Sequence, residues 1–148
     1  MKRILSSTVA LLMFGTATLS QPPVVGTIET HTMTILCDES EQVEHILTAQ
    51  AQTSIRAGVE IFQMYNKQMN DIDEPACSFI KAPHAITVAI VELSAVIENV
   101  NWFDGKQHTM YVVSVFYKRA NGEFAGGYIY TSEKPISQSE VRPAGTDA

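Results

Sequence analysis

Two cysteines, Cys37 and Cys77, flank a stretch whose apolar residues recur every three or four positions, and this limits the fold more than any other feature of the chain. Val43, Ile46, Leu47, Ala51, Ile55, Val59, Phe62 and Met69 mark one buried helical face. A straight helix over 39–68 would be about 45 Å long, whereas the chain from Met69 to Cys77 reaches at most about 30 Å. A Cys37–Cys77 bond and an unbroken helix therefore exclude each other. With the bond in place the helix must bend or break, and the weak helix formers from Thr53 to Gly58 are where it should do so. Such a bond closes a loop of about 40 residues, which the chain-entropy account values at roughly 3–4 kcal/mol.

The compartment that would oxidise this pair is indicated at the start of the chain. Lys2 and Arg3 precede an apolar run from Ile4 to Phe14, and small residues then lead to Leu19-Ser20-Gln21. This reads as a secretory signal peptide over 1–20, cut after Ser20 or after Ala17. The apolar run is roughly half of the about 20 residues a membrane-spanning helix needs, so a mature protein without a membrane span, periplasmic or secreted, is expected. No cysteine sits beside either cut to carry a lipid. Two cysteines in an exported chain normally pair. A metal site built on them would need further ligands close by, and neither has a Cys or His within four residues.

Loss of residues 1–20 removes two cations and no acid, taking the net charge from -6 to -8. Lys118-Arg119 is the only adjacent basic pair outside the signal, too little to neutralise phosphates, so nucleic acid is not the expected partner. The remaining length suits one domain, taken as 28–133, between a disordered leader at 21–27 and a disordered, solvated tail at 134–148.

Ile28 to Cys37 reads as a first strand, and Asp38 with Glu41 as a capping box opening the helical region. Asn70-Asp71-Ile72-Asp73-Glu74-Pro75 ends that region. Strand signals follow over His84–Leu93 and Ala95–Trp102, then a turn at Asp104-Gly105, a strand from His108 to Lys118, a turn at Asn121-Gly122 and a return from Glu123 to Thr131. A two-residue type I′ turn at Asn121-Gly122 pairs Ala120 with Glu123, Val115 with Tyr128 and Val113 with Tyr130. One face then carries Tyr111, Val113, Val115, Tyr117, Tyr128 and Tyr130, and the other Met110, Val112, Phe116 and Ile129. Two apolar faces imply a sheet that curls into a half-barrel or one that meets a partner, and curling is the commoner outcome.

The sequence holds no nucleophile elbow, phosphate-cradling glycine loop or zinc-helix motif. His31, His84 and His108 fall near strand starts and form the one candidate transition-metal set. His45, one turn after Glu41, reads as a surface pair with it. Asn70, Asp71, Asp73 and Glu74 supply oxygen ligands but lack the glycine and distal glutamate of a calcium loop. Cys37 lies close to a helix start, as a reactive thiol would, yet the second cysteine favours the disulfide. Tyr111, Tyr117, Tyr128, Tyr130 and Trp102 form the candidate binding face, set against their use as core beneath the helix.

The pattern Cys37-Asp38-x-x-Glu41-Gln42-Val43, then Asn66, then Ala76-Cys77 followed by strands, resembles a group of small exported bacterial proteins of unknown function. The resemblance spans roughly 36 to 131. It implies the disulfide and the helix-then-sheet order, and brings no activity, cofactor or catalytic residue.

The sequence therefore predicts an α+β domain: a leading strand, a bent helix or helix pair, and a three- to four-stranded antiparallel meander, with one disulfide. The expected function is non-enzymatic binding of an extracytoplasmic protein or small ligand through a sheet face or edge, with no cofactor. The alternative is a small exported metal-dependent or hydrolytic enzyme built on the strand-end histidines.

Overall fold

A computed structural model describes residues 22–69, 74–119 and 121–140. The chain runs through β1 (Ile28–Cys37), α1 (Ser40–Gln52), α2 (Ile55–Lys67), β2 (Cys77–Asn101), β3 (Gln107–Lys118) and β4 (Phe124–Thr131), followed by a 3₁₀ turn at Gln138–Glu140. The four strands are antiparallel in the order β1-β2-β3-β4 and close into a barrel. This is the α+β fold with one disulfide expected from the sequence, and the apolar sheet curls fully rather than halfway.

The helical region divides where its composition is weakest. Thr53 ends α1, and the Ser54 hydroxyl accepts the Ala57 N–H to cap α2, so two antiparallel-capable helices replace one rod. Cys37 and Cys77 are bonded and sit directly opposite each other in the β1–β2 ladder. The start of α1 lies one residue later than the sequence suggested. The Asp38 N–H still donates to the Ala76 carbonyl, extending the ladder, so the capping box is Glu39 with Gln42 rather than Asp38 with Glu41.

β2 has 25 residues. Laid straight it would be about 80 Å long, so in a domain of this size it has to coil. Three register shifts against β3, the third of them beside Asn99 at φ 59°, and one against β1 supply the coiling. Its first half pairs with β1 and its second half with β3.

Both hairpins of the meander use one device. In each, a residue exchanges bonds across a three-residue loop that ends in a glycine with positive φ: Trp102 with Gly105 and Lys106, and Arg119 with Gly122 and Glu123. The Asp104 and Asn121 side chains each accept the backbone N–H two residues on. This overturns the type I′ reading of Asn121-Gly122, because the Arg119 N–H donates to the Glu123 carbonyl and the Gly122 N–H to the Arg119 carbonyl, which closes a loop one residue longer than a two-residue turn. The longer loop slides β4 by one residue, so Val115 faces Gly127, Val113 faces Ile129 and Val112 faces Tyr130. With a side-chain period of two, that slip moves Tyr128 and Tyr130 off the face of Tyr111, Val113 and Tyr117.

Two cores follow from the two faces. Inside the barrel, Val88, Ile90, Val113, Val115 and Ile129 pack with Leu36, Leu93 and Tyr117. On the other face, Val43, Ile46 and Leu47 of α1 pack on Val100, Met110, Val112 and Tyr130 around the disulfide. Asn66 of α2 donates to the Cys77 carbonyl at 2.9 Å, tying the second helix to the bonded strand.

The barrel closes through a thin seam. Cys37 with Tyr128 is the paired rung between β1 and β4, and the buried Thr34 hydroxyl adds a second tie, donating to the Tyr130 carbonyl at 3.0 Å and accepting the Tyr130 N–H at 3.3 Å. Gly127 makes this approach possible, since a Cβ there would lie 2.9 Å from Leu36 Cδ1 and 3.2 Å from the Cys37 carbonyl. Among the described residues no further rung joins the two strands, and β4 ends one residue after Tyr130.

The segments read as leader and tail are held against the barrel where they are described. Val24 bridges to Ile136, the Val25 N–H donates to the Ile136 carbonyl, and the Gly26 N–H donates to the Ile90 carbonyl. Two short apolar stretches, Val24-Val25 and Pro135-Ile136, supply the contact that composition alone concealed.

Candidate functional site

α2, the start of β2 and the β2–β3 turn enclose a cleft of about 480 Å³. Its floor is β1, through Met33 and Ile35, and its walls are Val59 and Phe62 of α2, Phe79 of β2, Trp102 and Phe103 of the turn, and Tyr130 of β4. Each wall residue is placed by a rule of its own element. Val59 and Phe62 lie three apart on one face of α2, and the Asx turn at Asp104 projects Trp102 and Phe103 from the strand end. Trp102 stacks edge-on against Tyr130 at 5.4 Å and against Phe103 at 5.2 Å. Phe103 is 68% exposed, Met33 59% and Phe79 48%, so the cleft opens to solvent with apolar groups at its lip. Gln50, Gln63 and Lys81 are its polar members.

A second cavity, of about 310 Å³, lies between the first half of β1 and the end of β4. It shares Met33, Trp102 and Tyr130 with the cleft and adds Glu29, His31, Thr131, Ser132 and Glu133. Alternate residues of β1 point to one side of the sheet, so Glu29, His31, Met33 and Ile35 make a single stripe that passes from polar to apolar along the two chambers. His31 Nε2 is buried without a hydrogen-bond partner and lies 3.7 Å from Glu29 Oε1. Burial holds the His31 pKa below its ordinary value, against the opposing pull of Glu29. The Glu29 carboxylate also accepts the Val24 N–H at 2.9 Å. Burial pushes the Tyr130 hydroxyl up to about 12, which keeps it neutral and fit to stand in an apolar wall.

Of the aromatic set singled out from sequence, Trp102 and Tyr130 come together at this site. Tyr117 packs inside the barrel, Tyr111 shares its face on β3, and Tyr128 packs against the helix-covered core. The three histidines do not converge. His31 is in the polar cavity, His84 is exposed on β2 beside Pro83, and His108 Nε2 bonds Asp104 Oδ2 at 2.7 Å in the turn. Among the described residues no three His, Cys, Asp or Glu side chains are placed to hold an ion together. His45 meets Tyr65 across the helix pair at 2.9 Å, in place of the Glu41 partner that helical spacing suggested. Asn70, Asp71 and Asp73 lie outside the described residues, and Glu74 reaches Arg119 at 3.5 Å. No helix among the described residues is long and apolar enough to cross a membrane.

Met33, Phe62, Phe79, Glu29 and Glu133 were not legible as site residues. The available signal was the alternation Phe79-x-Lys81 opposite Met33, which marks a strand starting at Cys77 rather than at His84. Compared with protein-family models, with curated proteins and with solved structures, the chain finds no match in any of the three.

Proposed function

We propose that this chain is an exported binding protein that receives the apolar body of a small molecule in the cleft between α2, the start of β2 and the β2–β3 turn. The observation that carries the reading is the cleft's lining: five aromatic rings and a volume within the range of about 300–1,000 Å³ in which small ligands are held. A monomer has little reason to leave Phe103, Met33 and Phe79 together at one solvent-facing opening unless something covers them. The signal-like first 20 residues and the disulfide support export.

The test is titration of the purified mature protein with Nile red, a neutral apolar dye. Saturable emission at one dye per chain, weakened at least about tenfold by Val59→Arg, which sets a charge in the cleft wall, is the expected result. Undiminished binding in Val59→Arg, with its fold intact by circular dichroism, removes the cleft as the site.

A further inference from the structure

The polar cavity beside the cleft has a charge of one sign. Glu29 and Glu133 line it, and among the described residues no lysine or arginine does; Lys81 borders the apolar cleft instead. His31 contributes a buried ring nitrogen that lacks a partner and, kept neutral by burial, can accept a hydrogen bond. Thr131 ends β4, and Ser132 and Glu133 follow it along the cavity, where the Thr131 hydroxyl donates to the Glu133 carbonyl at 2.7 Å. Two carboxylates and an unsatisfied acceptor call for a donor that carries positive charge. The shared wall of Trp102 and Tyr130 suits such a group as well, since aromatic faces attract cations.

We infer that the two chambers together take an amphipathic primary amine, its ammonium among Glu29, His31 and Glu133 and its apolar body across Trp102 into the cleft. The inference rests on the cleft being a ligand site and adds the chemistry of the head group. The β1 stripe Glu29-His31-Met33-Ile35 gives such a molecule one continuous floor. The ammonium meets the carboxylates in a cavity partly shielded from water, where a charge pair is stronger than at the open surface.

Trp102 is the only tryptophan in the sequence and stands in the wall between the chambers, so its emission reports occupancy of either. The experiment titrates the mature protein with decylamine and decanoate below their micelle concentrations and with decanol below its solubility limit. Decylamine should bind at least about tenfold more tightly than the other two, and Glu133→Gln, a change at an exposed residue, should erase most of that preference without moving the melting temperature. Glu29→Gln should do the same, its amide oxygen still able to accept the Val24 N–H. Equal binding of the three probes, or a decylamine preference that survives both substitutions, overturns the head-group assignment while leaving the apolar cleft standing. Tighter binding of decanoate, lost in Lys81→Met, also overturns it and reverses the charge. Failure of all three probes and of Nile red removes the cleft reading together with the inference.

Discussion

At the scale of single residues, the molecule depends on a few side chains that satisfy or decline a hydrogen bond. Thr34 is fully buried, and its hydroxyl serves both backbone groups of Tyr130. Thr34→Val keeps the shape and leaves a buried carbonyl and amide unpaired, so it should cost about 1–3 kcal/mol, read from chemical denaturation. An unchanged midpoint would mean the seam does not need the hydroxyl. His31 makes stability depend on pH. Its folded form prefers the neutral ring, so below the ordinary value of 6.5 the unfolded chain takes up the proton first, and stability falls as pH drops through the region between 6.5 and the lowered native value. His31→Leu should flatten that limb. The acid loss that remains belongs to carboxylates held low in the fold, such as Asp104, which accepts the Lys106 N–H and the His108 ring. None of this was readable beforehand: the sequence shows a histidine near a strand start, and only the strand's register decides whether its ring is wet.

At the scale of elements, what was legible was what short-range rules govern. The break between Thr53 and Gly58 followed from propensity combined with the reach of the disulfide, and the meander from its turn signals. The hairpin register was missed by one residue because Asn-Gly serves both a two-residue and a three-residue loop, and only the pairing of Arg119 with Glu123 separates them. That single residue redistributed the tyrosines and hid the site. Gly58 shows how packing overrides propensity. Glycine inside a helix costs about 0.5–1 kcal/mol against alanine, yet a Cβ at Gly58 would lie 2.3 Å from Gln50 Cγ and 3.0 Å from the Ile46 carbonyl. Gln50 in turn exchanges two bonds with Asn101, at 3.1 Å and 2.8 Å. Gly58→Ala should therefore lower the melting temperature despite its better helix propensity. A variant that melts higher would show that α1 and α2 can part without cost.

At the scale of the whole molecule, the disulfide joins the end of β1 to the start of β2, closing the loop that carries the helix pair, at the end where β1 meets β4. Cys77→Ser should cost roughly 3–4 kcal/mol through the entropy of the freed loop, a large share of the about 5–15 kcal/mol that holds a domain together, and a thermal melt of the oxidised and mutant proteins measures it. Equal melting temperatures would confine the bond to a passive role. The cleft was illegible at this scale because its walls come from β1, α2, β2, the turn and β4, which a sequence lists far apart. The seam adds a consequence of its own. The margins of β1 and β4 are fastened twice, by the Cys37–Tyr128 rung at one end and, through the chain before β1 and after β4, by the Val24–Ile136 bridge at the other, and the polar cavity lies between the two fastenings like an eyelet between stitches.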